Sequence, residues 1–310
     1  MTSDFQAEPA GVEGGGGHIS VMSREVDELL GLQAGMVAVD CTLGLGGHAL
    51  MMGERVGSGG RLVGIDQDDQ AIVRARQRLK GFSGRLDIVK NNFRNISDVL
   101  NGLGVEAVDA VLFDLGVSSI QLDDPLRGFS FRHEGPLDMR MDTTAPVSAA
   151  TIINTFSEEE LARVLWQYGE ERFSRRIAAN IVKARAASPI ETTADLVKII
   201  MRSLPFKQSR EGLHPATRSF QGIRIAVNQE LAAVEGALDA AYSRLKIGGR
   251  MCVISFHSLE DRIVKSKFRS YALNGSATIL TKKPLRPTPQ EEQANPRSRS
   301  ARLRALERIL

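Results

Sequence analysis

The sequence has little cysteine and no long apolar run. Cys41 and Cys252 are the only cysteines among 310 residues, too few for a zinc cluster and unlike the pattern of a disulfide-stabilised secreted domain. No stretch approaches the roughly 18 consecutive apolar residues of a membrane-spanning helix. The first arginine is Arg24, after a segment of acids and glycines, which argues against a secretory signal or an Arg-rich transit peptide. We therefore expect a protein of the reducing cytoplasm, with no membrane span and no metal.

The charge is nearly balanced overall but unevenly distributed. Lys and Arg number 40 and Asp and Glu 37, which gives a net charge of +3. Residues 282–310 contain eight Lys or Arg and three Glu, a charge of +5, so the rest of the chain carries −2. A basic C-terminal segment predicts a polyanionic partner. The alternative, a solvated tail without a partner, stays open at this point.

Short β-rich apolar runs recur at regular intervals in the first part of the chain, with helical spacing between them. They comprise residues 36–40, 61–66, 86–90 and 108–114. Strands that alternate with helices predict a parallel, doubly wound α/β sheet. The alternation stops after Gln121 and resumes with apolar runs at 250–256 and 276–281.

These patterns divide the chain into four parts. Residues 1–17 have little to bury and are predicted to be a disordered leader. Residues 18–122 and 222–283 form the α/β domain, which contains a long helix from about 223 to 245. Residues 123–221 are predicted to be an inserted all-helical domain. Residues 284–310, which contain four prolines, are expected to form a basic, extended tail.

A glycine-rich turn follows the first predicted strand. Gly44, Gly46 and Ala49 satisfy the G-x-G-x-x-A pattern, and the turn opens a helix whose amides can face a ligand. Asp66 ends the second strand, after the intervening helix, where a carboxylate can accept hydrogen bonds from both ribose hydroxyls. Together these features indicate an adenosine-containing cofactor. They do not distinguish a methyl donor from a dinucleotide.

Residues at the ends of the third and fourth predicted strands help to distinguish a methyl donor from a dinucleotide. Phe93 follows the third strand, where an aromatic ring can face an adenine or simply fill the core. Asp114 closes the fourth strand, followed by Ser118, Ser119 and Gln121. In class I S-adenosylmethionine enzymes this fourth loop lies beside the transferred methyl group. A carboxylate that closes an apolar run is hard to explain as structure alone, because burial without a partner is costly.

Eight colinear segments resemble the MraW/RsmH family of methyltransferases, and the resemblance spans about residues 18–308. The segments are Gly46-Gly47-His48 and residues 116–123, 127–131, 135–142, 214–220, 223–231, 255–262 and 295–300. The resemblance implies a class I S-adenosylmethionine-dependent methyltransferase with a Rossmann-like, doubly wound sheet. It also implies an activity, methylation of the N4 amine of a cytidine in 16S ribosomal RNA of the small subunit.

The resemblance further assigns site residues. The S-adenosylmethionine contacts it implies are Gly46, Gly47, His48, Asp66, Phe93, Asp114 and Gln121. The side-chain and backbone chemistry of Gly46, Gly47 and Asp66 agrees with these implied contacts. It leaves open whether His48 contacts the cofactor or only packs.

Methylation of an amine requires alignment and a proton acceptor. Asp114, with Ser118 or Ser119 in the same loop, is the candidate proton acceptor, and the two serines are also candidate contacts to the substrate RNA. The target base must leave its stack, which suits single-stranded or splayed RNA. Contacts to RNA phosphates are expected from Arg127, Arg132 and Arg140 of the insert and from Arg297 and Arg299 of the tail.

Two other functions stay open from the residues alone. A nicotinamide oxidoreductase would share the glycine loop and Asp66, and a ribosome-assembly factor without enzymatic activity would share the basic tail. Neither His214 nor His257 has the neighbours of a metal site, and His257 can be structural or a substrate contact. The sequence does not specify which cytidine is methylated, whether the substrate is free RNA or an assembled subunit, or whether the protein forms an oligomer.

Overall fold

The computed structural model describes residues 20–205 and 214–310, so the predicted leader at 1–17 lies outside the described residues. Its strands are β1 Val37–Asp40, β2 Arg61–Asp66, β3 Arg85–Lys90, β4 Val108–Asp114, β5 Leu245–Ser255, β6 Ala277–Ile279 and β7 Arg302–Arg308. They form one sheet in the order β3-β2-β1-β4-β5-β7-β6. The first five are parallel, and β7 is antiparallel to both of its neighbours. The predicted doubly wound α/β fold is confirmed.

Helices account for most of the remaining described chain. They are α1 Ser23–Leu30, α2 Gly47–Val56, α3 Asp69–Arg78, α4 Ile96–Gly102, α5 Ser119–Asp123, α6 Ala149–Thr155, α7 Glu158–Gln167, α8 Ser174–Arg185, α9 Thr193–Ser203, α10 Thr217–Asn228, α11 Glu230–Arg244, α12 Ser258–Leu273 and α13 Pro289–Ala294. Within the described ranges, none is both long and apolar enough to span a bilayer.

The sheet is covered on both faces, as its continuous apolar strands require. On one face, Val39, Val63 and Val111 pack in a buried cluster with side chains of α4, α11 and α12. On the other face, Ala38 and Leu62 belong to a second cluster with α1, α2 and α3. Successive residues of one strand therefore contribute to different cores, which fixes the strand register.

The insert has its own buried core, built by α6 to α10 and the segment before them. The predicted boundary at 221 is wrong, because Ile223 and Val227 of α10 pack in this core. The predicted helix from 223 to 245 is also wrong. It is broken at Gln229, whose φ of 51° is left-handed. A helical pattern runs through the break, but α10 packs in the insert whereas α11 covers the sheet.

The expectation of an extended C-terminal tail is wrong as well. Strand β7 lies between β5 and β6, and Leu303, Ala305 and Leu306 are buried. The guanidinium of Arg304 is nearly buried and its Nε donates to Asp261 Oδ1 of α12 at 2.7 Å. The basic segment is thus part of the sheet, and its charge is partly neutralised by an acid of α12.

Candidate active site

The carboxyl ends of five parallel strands meet at one edge of the sheet. Strands β2 and β3 follow one another on one side of β1, and β4 lies on the other side of β1. The order of the strands reverses between β1 and β4, and ligands of open α/β sheets bind at such a point. The loops after β1, β2, β3 and β4 therefore surround one candidate site.

The glycine loop after β1 has the strained backbone that its sequence predicts. Gly44 and Gly46 have φ values of 50° and 74°, in the left-handed region, which residues with a Cβ rarely adopt. A Cβ on Gly46 would lie 3.3 Å from Cα of Ala75 in α3. Gly46 is buried and its N donates to Leu43 O at 2.7 Å, and the half-buried Gly47 begins α2 close to a packed helix.

Asp66 at the end of β2 is held against this loop. Its Oδ2 accepts a hydrogen bond from Gly44 N at 2.8 Å, and its Oδ1 accepts one from Asp68 N at 2.9 Å. Burial raises the pKa of Asp66 to about 6, although these backbone hydrogen bonds oppose the shift. The carboxylate is thereby oriented at the sheet edge, where the sequence places the ribose-binding acid.

Phe93 lies at the end of β3, beside a small cavity. Its ring packs edge-on against Phe113, with centroids 5.7 Å apart. Phe93, Leu115 and Met141 supply apolar walls of the cavity, and Gln67 and Asn92 supply polar ones. The cavity is small and is also lined by Glu230 and Glu260, so contact between Phe93 and an adenine stays a prediction.

Asp114 and His48 meet where β4 ends. Nε2 of His48 lies 3.6 Å from Oδ2 of Asp114, and the two side chains are 6% and 25% exposed. Oδ1 of Asp114 and both ring nitrogens of His48 are buried without a hydrogen-bond partner in the described chain. Unpartnered buried polar atoms are rare in native proteins, so this pair is a candidate for contact with a ligand.

Asp40 is a third ionisable group in this cluster. It closes β1 as Asp114 closes β4, and only 1% of it is exposed. Burial raises the pKa of Asp40 to about 6, with His48 opposing the shift. Burial alone would lower the pKa of His48, but Asp114, Asp40 and Glu291 outweigh it and raise that pKa above its ordinary value. The sequence analysis missed Asp40, although its place at a strand end matched that of Asp114.

A buried network connects this edge to the insert. Asp68 Oδ2 accepts hydrogen bonds from Arg127 Nη1 at 2.7 Å and from Gln121 Nε2 at 2.9 Å. Ser118 caps α5 through a reciprocal pair of hydrogen bonds with Gln121, and Ser119 is the first residue of that helix. Both ends of the Gln121 side chain are therefore engaged within the protein, and direct contact between Gln121 and the cofactor stays a prediction.

The predicted RNA contacts fall into different groups. Arg127 is 5% exposed and donates to Arg140 O and Met141 O as well as to Asp68, so the expectation that it contacts phosphate is wrong. Arg140 is half-buried and forms an ion pair with Asp138. Arg132, Arg297 and Arg299 are exposed, and Arg297 forms an ion pair with Asp123.

One cluster in the described ranges has the ligand types of a metal site. It consists of Glu230, His257 and Glu260. Arg224 donates to both oxygens of Glu230 at 2.9 Å, and Glu260 Oε2 accepts from the backbone nitrogens of Phe256 and His257. The acids already have positive or donor partners, so we assign them a structural role at the α10–α11 break and at the start of α12.

The raised pKa of Asp40 predicts a pH-dependent effect on stability. A pKa of about 6 in the folded protein against 3.8 for the free group means that stability is lost as pH rises from 4 to 6 and stays lower above 6. Asp40→Asn removes this cost, so its stability relative to the original protein should improve by about 2 kcal/mol between pH 4 and pH 7.5. Thermal unfolding at several pH values measures the difference.

The exposed Asp98 provides the control for this measurement. Asp98→Asn makes the same change in charge without a buried carboxylate, and its stability relative to the original protein is expected to be nearly independent of pH. A constant difference for Asp40→Asn across the same range would show that burial of Asp40 costs nothing.

The doubly wound sheet, the left-handed glycine loop and the oriented Asp66 are shared by class I S-adenosylmethionine-dependent methyltransferases and dinucleotide enzymes, and the family comparison decides for the methyltransferase class. The sequence profile of the MraW methylase family matches residues 16–309. The chain therefore belongs to the MraW methylase family.

Several relatives are similar over almost their entire length, and each is described as ribosomal RNA small subunit methyltransferase H. The protein of Geotalea uraniireducens is 50% identical and that of Symbiobacterium thermophilum 48% identical, with 94% of this chain covered in both alignments. The alignments cover 98% and 96% of those proteins. The structure of a putative rRNA methylase from Clostridium thermocellum is similar with a TM-score of 0.46 at 15% identity, covering 94% of this chain and 100% of that one.

The described residues fit S-adenosylmethionine by their charge and hydrogen-bonding capacity. The cofactor carries a positive sulfonium and an ammonium group, and the cluster of Asp40, Asp114 and His48 contains two carboxylates against one imidazole. The polar atoms of Asp114 and His48 that lack a hydrogen-bond partner among the described residues supply both acceptors and donors. When bound, the cofactor supplies an electrophilic methyl group.

Proposed function

We propose that the protein methylates the exocyclic N4 amine of a cytidine in 16S ribosomal RNA of the small subunit, in the cytoplasm. The observation that carries this proposal is the carboxylate of Asp114, which has an unpartnered oxygen at the strand end beside the glycine loop. The names of the relatives support small-subunit ribosomal RNA as the substrate. The N4 atom of cytidine is the acceptor that the resemblance to the MraW/RsmH family implies, and a nearby carboxylate suits an amine acceptor.

Asp114 has a definite task in this reaction. The cytosine amine is a weak nucleophile because its lone pair is delocalised into the ring. As the nitrogen bonds to the methyl carbon, one N–H becomes acidic and needs an acceptor within hydrogen-bond reach. The Asp114 backbone N donates to Thr42 Oγ1 at 2.6 Å, which fixes the strand end and leaves the carboxylate at the site.

The other site residues would bind the cofactor. Gly46 and Gly47 would let the methionine part approach the backbone at the start of α2, Asp66 would accept from the ribose hydroxyls, and Phe93 would lie against the adenine. His48 contacts the cluster at Asp114, and Gln121 holds Asp68. Binding energy from these remote groups aligns the methyl group with the amine.

The insert would form one wall of the RNA site. Its segment before α6 is joined to the loop after β2 through Arg127 and Asp68, so the insert is fixed relative to the cofactor loops. Arg132 on this segment and Arg299 after α13 are exposed and are the proposed phosphate contacts. A target base that has left its stack would enter between these surfaces.

The test is methyl transfer from labelled S-adenosylmethionine to 16S ribosomal RNA, offered as free RNA and as assembled small subunits in separate reactions. Nucleosides from the product are then identified by mass spectrometry with reference standards. N4-methylcytidine is the expected product. A different methylated nucleoside, or no transfer to either substrate, would refute the proposal.

The phosphate contacts predict a change in the salt dependence of RNA binding. Changing Arg132 and Arg299 together to Gln is expected to reduce the slope of log affinity against log salt by about 1.5, because each lost phosphate contact removes roughly 0.7 to 0.9. The affinity for cofactor should not change. Filter binding at four salt concentrations measures the slope.

Arg304→Gln serves as the matched control. Arg304 is buried and forms an ion pair with Asp261, so the variant is expected to lower the melting temperature and leave the slope unchanged. An unaltered slope in the Arg132 and Arg299 double variant would exclude direct phosphate contact by these two residues.

A further inference from the structure

The cluster of His48, Asp114 and Asp40 has more proton-binding capacity than a single acceptor needs. His48 lies at the start of α2 and is 6% exposed. Its Nε2 faces Asp114 Oδ2 at 3.6 Å, beyond ordinary hydrogen-bond distance, and its Nδ1 has no hydrogen-bond partner among the described residues. A histidine buried only for packing normally has at least one partner. The carboxylate that faces it, Asp114, is the same one that the proposed function assigns to the reacting amine.

We propose that His48 takes up, through Asp114, the proton that the amine loses during methyl transfer, and releases it when the next cationic cofactor binds. His48 does not touch the reacting atoms. It acts through Asp114, from which it accepts the proton. The inference rests on the proposed function for the source of the proton, and on the geometry of the cluster for its destination.

The charges around His48 come from three other elements. Asp114 is on β4, Asp40 is on β1, and Glu291 is on α13, where Glu291 Oε1 also accepts a hydrogen bond from Met22 N at 2.6 Å. All three favour an imidazolium in the cofactor-free protein. A sulfonium placed beside Asp114 would repel that imidazolium, so binding of the cofactor is linked to loss of the proton.

Methyl transfer then moves one positive charge from the ligand to the protein. The N4 lone pair forms the C–N bond, the S–CH3 bond breaks, and its electron pair stays on sulfur as a neutral thioether. One N4 proton passes to a carboxylate oxygen of Asp114 and from there to Nε2 of His48. The ligand loses one positive charge and the protein gains one, so the buried site keeps a nearly constant charge. This matters because uncompensated charge in a buried site is costly.

The inference is tested without RNA, by comparing S-adenosylmethionine with S-adenosylhomocysteine on the full chain. Calorimetry in buffers of different ionisation enthalpy at pH 7 gives the protons released on binding. We expect the sulfonium form to release more protons than the thioether, by up to about one. The ratio of the two dissociation constants should shift toward the sulfonium form with rising pH, by up to about tenfold per pH unit below the pKa of His48.

Two variants separate His48 from its neighbours. His48→Gln should lose most of the proton difference, and His133→Gln, at an exposed histidine, should retain it. Asp40 also titrates near neutral pH, so a residual pH dependence in His48→Gln is expected to disappear when Asp40→Asn is added. A full proton difference in His48→Gln would overturn the inference.

Imidazole NMR of the unaltered protein gives an answer that does not depend on any variant folding. The His48 resonance, assigned by elimination against the other histidines, should be that of a cation with the thioether bound and that of a neutral ring with the sulfonium bound. The same protonation state in both complexes would refute the proton store.

The proton-release experiment and the product analysis can fail independently of each other. If N4-methylcytidine forms while the two cofactor forms release equal numbers of protons, the inference is wrong and the proposed function stands. If the proton difference is present but the product is another nucleoside, the proposed function is wrong at its acceptor atom, whereas proton storage at His48 is upheld.

Discussion

Asp114→Asn is expected to lower the single-turnover rate of methyl transfer by roughly 10² to 10⁴, the usual contribution of a general base. The amide keeps the size of the side chain but cannot accept a proton at neutral pH. The loss should persist with saturating cofactor, because it affects the chemical step and not binding alone. Rapid quench of enzyme-bound RNA with labelled cofactor measures the rate.

The control for this variant is Asp98→Asn, which makes the same chemical change at an exposed position of the same domain and should leave the rate unchanged. Thermal unfolding of both variants excludes a general loss of structure. A normal single-turnover rate in folded Asp114→Asn would remove Asp114 from the chemical step and leave it as a cofactor contact.

Arg127→Met is expected to destabilise the protein by about 3 to 5 kcal/mol, the usual cost of removing one partner of a buried ion pair. The change leaves the carboxylate of Asp68 buried with only Gln121 as a side-chain donor. Because Asp68 N donates to Asp66, we also expect weaker cofactor binding. Denaturant unfolding and calorimetry measure the two effects.

A double-mutant cycle tests the cause of this effect. Asp68→Asn removes the buried charge, so the combination of Arg127→Met and Asp68→Asn should be more stable than Arg127→Met alone. Arg132→Met, at an exposed position of the same segment, should change stability by less than about 0.5 kcal/mol. A loss of less than about 1 kcal/mol in Arg127→Met would mean that the pair contributes little.

The sequence was most informative where the relevant signal is local. Strands β1 to β5 were found because buried parallel strands are continuous apolar runs, and Asp66 and Asp114 were found because an acid directly follows such a run. The glycine loop was predicted because only a few residues tolerate its backbone conformation. These features depend on a few neighbouring residues, so they can be read without knowledge of the fold.

The arginines show where local signals were insufficient. Arg127 and Arg132 lie close together in one loop, yet Arg127 is buried against Asp68 and Arg132 is exposed. The partner of Arg127 lies 59 residues earlier in the chain. Local composition does not contain that pairing, and the same holds for His48 and Asp114, which come together only through β1 and β4.

The C-terminal segment shows most clearly the difference between what the sequence determines and what only the tertiary structure decides. By itself the sequence determined the α/β class, the cofactor loop, the helical character of the insert and the family. Only the tertiary structure decided that residues 302–308 form a strand. Pairing to β5 satisfies the backbone hydrogen bonds of the segment, and Asp261 neutralises Arg304. Both partners are distant from the segment in sequence, so a segment whose composition predicts an extended basic tail for a polyanionic partner becomes part of the core.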